Sequence, residues 1–139
     1  MSVLTEKADL EAVLDEVMRW ECVNTDSIYL MGNSQGGYVS TLVAAERPDD
    51  IRAIILIYPG YCLYYDVHAM FDSINEIPDT DYLLGMRLGR RYFKDIWEQE
   101  PYQKAQEYGK EILLIHGSRD SVVPLSYSDR LADTVDHVE

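Results

Sequence analysis

Five consecutive residues, Gly32-Asn33-Ser34-Gln35-Gly36, place a serine between two glycines at the spacing G-x-S-x-G, and Gly37 follows. A serine hydroxyl carried on a sharp strand-to-helix turn stands clear of its neighbours and serves as a nucleophile toward an acyl carbon. Such a turn leaves little room, so the flanking positions are expected to be glycine. The N–H of Gln35, at the helix start, is expected to point where a tetrahedral oxyanion develops. By composition alone, roughly one chain in twenty of this length would carry the pattern. Its value therefore rests on context, and here it falls where an apolar stretch gives way to a run of small residues. The bland alternative is a glycine-rich turn with a surface serine.

A serine nucleophile needs a base, and the base needs an orienting carboxylate. Asp120 is the leading carboxylate. It ends the segment His116-Gly117-Ser118-Arg119-Asp120, just after the apolar stretch Ile112 to Ile115. If the strands are parallel, the C-terminal end of that stretch lies on the serine's edge of the sheet. Asp66 and Asp72, after the middle strand, are the alternatives. The base is harder to find among three histidines. His68 comes too early in the chain, and His116 precedes Asp120 and is expected to pack or cap locally. His137 follows Asp120 but falls in the expected last helix, before any further strand.

The elements that must hold these groups follow from hydrophobic periodicity. Leu10, Val13, Leu14, Val17 and Met18 recur at helical spacing, predicting an amphipathic helix from about Thr5 to Trp20. Ile28 to Met31 reads as a short buried strand, and Gly37 to Glu46 as a helix stopped before Pro48. Ile51 to Tyr58 is a strand without polar alternation, which suits a parallel sheet covered on both faces. Tyr61 to Gly109 reads as an irregular excursion with short helices, one of them over Pro101 to Tyr108. Ile112 to Ile115 is a third strand. A last helix begins at Pro124 or Leu125, with Tyr127, Leu131, Val135 and Val138 along one side. Strands alternating with helices predict an α/β fold of three layers around a mostly parallel sheet.

Composition narrows the partners. The 139 residues are 47% hydrophobic and carry a net charge of −13, a globular and strongly acidic chain. Phosphate backbones are repelled unless a local basic patch exists, and Asp81, Asp95 and Glu98 flank the one candidate around Arg87, Arg90, Arg91 and Lys94. No nucleic-acid partner is expected. No apolar run approaches a membrane span, and the acidic N-terminus is not a secretory signal as it stands, so neither a membrane partner nor export is expected. Cys22 and Cys62 lie far apart without a partner motif. They predict neither a disulfide framework nor a metal site, but buried free thiols in a cytoplasmic protein.

Taken together, the segments Ile28 to Gly37, Ile51 to Gly60 and Ile112 to Pro124 resemble the C-terminal half of an α/β hydrolase. Arg90 to Asp95 and Pro101 to Lys110 resemble the cinnamoyl (feruloyl) esterase-like branch, where an insertion forms a lid over the acyl pocket. The resemblance implies a single partial α/β-hydrolase domain over residues 1–139, with 61–109 as the lid-like insertion. It implies strands five to seven of an eight-stranded fold, Ser34 as nucleophile, Gln35 as oxyanion donor and Asp120 as triad acid. Asn33 stands where the family commonly has histidine. The strands that would bring the other oxyanion donor and the catalytic histidine are not among those seen, so a fragment truncated at both ends is expected. Its open sheet edge would favour self-association. The expected activity is hydrolysis of small carboxylic esters, aryl or cinnamoyl esters among them, without metal or cofactor. A peptidase of the same superfamily and a non-catalytic pseudo-hydrolase or binding module are the competing readings.

Overall fold

The computed structural model describes residues 2–139. In chain order the elements are α1 (Val3–Val17), β1 (Tyr29–Asn33), α2 (Gln35–Glu46), β2 (Ala53–Ile57), α3 (Cys62–Met70), β3 (Thr80–Leu83), β4 (Met86–Gly89), α4 (Arg90–Trp97), α5 (Pro101–Tyr108), β5 (Ile112–Ile115) and α6 (Ser126–Thr134). The main sheet has the order β1-β2-β5, all parallel, with Leu30 beside Ile54 and Ile54 beside Ile112. β3 and β4 form a separate antiparallel hairpin. The α/β class and the parallel sheet are as the sequence predicts.

Local chemistry sets the element ends. Ser2 caps α1 in a box with Thr5, which starts the helix two residues before the expected Thr5. Glu100 accepts from the Gln103 N–H, and Pro101 occupies the first turn of α5. Gly109 ends that helix at φ 63°, the left-handed cap that glycine takes without strain. The excursion is more ordered than expected: it holds α3, the hairpin and α4. The hairpin turn places both Leu84 (φ 50°) and Gly85 (φ 76°) at positive φ, matching the right-handed twist of its strands.

The core lies on one face of the sheet. Leu30, Ile54, Leu56 and Ile112 are buried there with Leu42 and Val43 of α2 and Phe93 and Ile96 of α4. The opposite face carries Tyr29, Met31, Leu113 and Ile115, all exposed. The short buried strand expected over Ile28 to Met31 is buried on one face only; β1 alternates between the core and water. Within the described residues, the sheet and one helical layer are in place. Val13 also departs from its period and is 58% exposed, because α1 touches α2 and α4 along a narrow stripe through Val3 and Leu14. Among the described residues no helix is long and apolar enough to cross a membrane.

The turn between β1 and α2 is set by backbone contact. A methyl group on Gly32 would lie 2.2 Å from the Gly36 carbonyl oxygen and 2.6 Å from the Gly37 nitrogen. One on Gly37 would lie 3.0 Å from Pro59, and one on Gly60 would lie 3.1 Å from the Gln35 nitrogen. Gly36 is different: the nearest atom to its added methyl would be Asn33 Oδ1 at 3.9 Å. Of the two glycines in the motif, sterics require only Gly32.

Gly32→Ala is expected to cost about 3 kcal/mol or more in denaturant unfolding, because backbone must move. Gly36→Ala, in a helix at negative φ, is expected to be neutral or to gain about 0.4–1 kcal/mol. Thiol titration of the native protein is expected to show one fast thiol. Cys22 is exposed, which corrects the expectation of two buried thiols; burial and then the Asp66 charge push the Cys62 thiol up to about 11.

Candidate active site

Ser34 sits between β1 and α2 with φ 50° and ψ −126°, a backbone conformation that costs a non-glycine residue about 1–3 kcal/mol. Its surroundings hold it there. Its N–H donates to the Ile57 carbonyl (3.1 Å), and its own carbonyl accepts from Gly60 (2.7 Å) and Gly37 (3.0 Å). The serine is thus bonded to the strand and loop beside it as well as to its own helix. Gln35 is the first residue of α2, so its N–H has no partner within the helix, and none of the turn hydrogen bonds uses it. The hydroxyl of Tyr58 accepts from Asn33 Nδ2 at 3.0 Å, tying the residue before the serine to the end of β2.

Asp120 lies in the loop after β5. Because β1, β2 and β5 run parallel in register, this loop and Ser34 share the C-terminal rim of the sheet. One carboxylate oxygen of Asp120 accepts from the N–H groups of Val122 (2.8 Å) and Val123 (2.9 Å). The other is 3.6 Å from His116 Nε2. The Val123 and Val122 bonds, with His116 nearby, hold the Asp120 carboxyl below the usual carboxylate range. Asp66, half-buried on α3, is pushed the other way by desolvation. Asp72 is exposed beyond the end of α3, where its N–H bonds Glu76. A concavity of about 580 Å³ opens beside Asp120, lined by Ile57, Tyr58, Ile115 and His116 among others; Ser34 is not in its lining.

The histidines are accounted for separately. His116, with a side chain 2% exposed, meets the Ser128 hydroxyl through Nδ1 (2.6 Å) and the Val123 carbonyl through Nε2 (3.0 Å), the local capping expected of it. His68 is stacked on Trp97 at 4.0 Å between ring centroids and lies 4.2 Å from Tyr64. His137 corrects its expected place. The last helix ends at Thr134, and His137, at φ 62°, turns the chain so that Val138 pairs in parallel with Ile112. That position is the N-terminal end of β5, the rim opposite Ser34.

The aromatic residues of the excursion divide between core and surface. Tyr61, Tyr92 and Phe93 are buried in the core, whereas Tyr82 is 63% exposed on the hairpin. Arg130 of α6 stands 4.2 Å over the Tyr102 ring and 5.1 Å from that of Tyr65, joining the helix after the Asp120 loop to the excursion. The basic residues Arg90 and Arg91 pair with Asp79 and Asp95. Among the described residues no cluster of three metal-ligating side chains occurs. Tyr58 is a rim residue that sequence reasoning missed. It takes φ 38° immediately before Pro59, where an extended conformation is the rule, and no sequence signal announces it.

Comparison with known proteins gives this geometry a context. The profile of the prolyl oligopeptidase family matches residues 5–138. Protein bem46 of Schizosaccharomyces pombe is 26% identical over 119 residues, covering 85% of this chain and 36% of that protein. Est1E from Butyrivibrio proteoclasticus superposes with a TM-score of 0.89 at 24% identity, covering 100% of this chain and 59% of that one. A second structure of Est1E, with ferulic acid bound, gives 0.88. Mouse alpha/beta hydrolase domain-containing protein 10 gives 0.76 at 21% identity, with 100% and 58% covered. The chain thus spans about a third of that curated relative and under three fifths of these solved structures. The matched residues run almost from end to end, the whole chain superposes on α/β-hydrolase structures, and the chain belongs to the prolyl oligopeptidase family, with the α/β-hydrolase fold.

Proposed function

We propose that this chain supplies the nucleophile, one oxyanion donor and the triad acid of a serine hydrolase acting on carboxylic esters. The observation that carries the reading is Ser34 held at positive φ on the β1–α2 turn with the Gln35 N–H unused beside it. In this reading the Ser34 hydroxyl attacks the acyl carbon and gives its proton to a histidine. Asp120, kept ionised by its two N–H donors, orients that imidazole and stabilises the cation that forms. The Gln35 N–H receives the developing oxyanion. The histidine protonates the departing alcohol, and water then frees the acid by the same route.

The base is assigned to a segment other than these 139 residues. His116 has both nitrogens engaged, His68 is stacked within the excursion, and His137 is at the far rim. Asp120 is preferred to Asp66 because it lies in the loop after β5 on the rim shared with Ser34 and two backbone N–H groups stabilise its charge, whereas desolvation disfavours the charge of Asp66 on α3. An aryl ester is favoured as substrate by the likeness to Est1E, a structure of which holds ferulic acid. Residues 61–109 are then the lid-like insertion over the acyl group. The family match favours a second reading, cleavage of a peptide bond by the same machinery.

Treating the full-length protein with a fluorophosphonate probe is expected to label Ser34, and Ser34→Ala is expected to abolish both labelling and turnover of p-nitrophenyl acetate. Absence of labelling would leave the non-catalytic module. Turnover of a proline-containing p-nitroanilide above that of an aryl ester would select the peptidase. Asp120→Asn keeps an acceptor for Val122 and Val123, so the fold is expected to hold while turnover falls by about 10³–10⁴. Because the folded carboxyl titrates below its unfolded value of about 3.9, its stabilising contribution is present above that pH and lost below it. The acid limb of the rate profile is therefore expected near the histidine value of about 6.5, not in the carboxylate range.

A further inference from the structure

We infer that Glu6 and Tyr92 are positioning residues for the Gln35 oxyanion donor, gripping its side chain from two helices and so coupling the excursion to the β1–α2 turn. This rests on the proposed role of the Gln35 N–H. The Gln35 side chain reaches into the seam between α1 and α4. Its Nε2 donates to both carboxylate oxygens of Glu6, at 2.8 and 2.7 Å, and its Oε1 accepts from the Tyr92 hydroxyl at 2.5 Å. The chemistry of the partners fixes the amide the right way round. An ionised carboxylate only accepts, so the NH₂ end must face Glu6, and the carbonyl end is left for the phenol to donate to.

The grip acts where the backbone is least free to choose its own position. Gln35 follows Ser34, the strained residue of the turn, and strain of this kind persists only when the surroundings over-determine it. Upstream, Ile57 and Gly60 hold Ser34 by its backbone; downstream, the hydrogen bonds that hold Gln35 among the described residues are those of helix α2 and of this side chain. Glu6 forms no ion pair among the described residues, so its charge there works against a developing oxyanion nearby. Its use is as an acceptor. The α1–α4 seam has a second tie, from the Ser2 hydroxyl to Asp95, and Tyr92 keeps its ring in the core against Phe93. Removing the Tyr92 hydroxyl therefore leaves the helices docked and frees only the amide.

The test measures phosphonylation of Ser34 in the full-length protein by a fluorophosphonate, separating the maximal rate from the half-saturating concentration. Tyr92→Phe is expected to lower the maximal rate about 10-fold, less than the 10²–10³ lost when a donor is removed outright. Half-saturation is expected to stay within about twofold. Glu6→Leu is expected to behave alike, and Glu6→Gln, which keeps an acceptor without the charge, is expected to restore most of the rate. In a Gln35→Met background, Tyr92→Phe is expected to cause no further loss. Equal losses in both backgrounds, or an unchanged rate for Tyr92→Phe while the parent protein labels normally, would overturn the positioning role alone. A parent protein that is not labelled at Ser34 would overturn the hydrolase reading and this inference with it.

Discussion

Two backbones meet at Gly32 more closely than any side chain permits. The last turn of β1 lies against the Gly36 carbonyl and the Gly37 nitrogen, and this contact sets the angle at which α2 leaves the sheet. Everything at the rim inherits that angle. With α2 pressed down on the strand, Ser34 has no extended or helical conformation available and is turned outward at positive φ. Its carbonyl then falls within reach of Gly60, and a side chain at Gly60 would press tightly on the Gln35 nitrogen beside it. The loop after β2 is in this way part of the turn after β1.

The Asp120 side of the rim is built on a different principle. There the backbone is folded around side chains. The His116 ring is closed in by Ser128 and by the Val123 carbonyl, and Asp120 closes the same loop by accepting from Val122 and Val123. The loop is a small cage assembled from one stretch of twelve or so residues. It presents a carboxylate whose charge is stabilised chiefly by the dipoles of two backbone N–H groups.

How far the sequence could be read depended on whether the signal was local. β2, β5 and α5 are found within a residue or two, because an unbroken apolar run, a proline at a helix start and a glycine at its end act over a few bonds. The strand-to-helix turn carrying Ser34 and Gln35, and the place of Asp120 in the loop after β5, were likewise legible as a motif and a strand end. The hairpin was not, since Leu84 occupies a left-handed position that the sequence gives no reason to suspect. Nor was Tyr58, whose conformation before Pro59 is imposed by the neighbouring strand. The Glu6–Gln35–Tyr92 grip joins residues 29 and 57 positions apart, and no periodicity reports on such a contact. The bare face of the sheet was anticipated only through the family resemblance, which leaves hydrophobic faces without their covering helices, and not from the strands themselves. Apolar residues on both sides of a strand show what a strand is able to bury, not what has been placed over it.

The conformation of Ser34 also bears on how this chain can change. A residue without a side chain would relax the bend at no steric expense, so the sturdiest version of this turn is one that has no hydroxyl at all. Under the proposed hydrolase reading, selection for robustness and selection for reactivity therefore pull on this one codon in opposite directions. A lineage released from the need for the reaction would be expected to lose its alcohol here first, while keeping the rest of the scaffold intact.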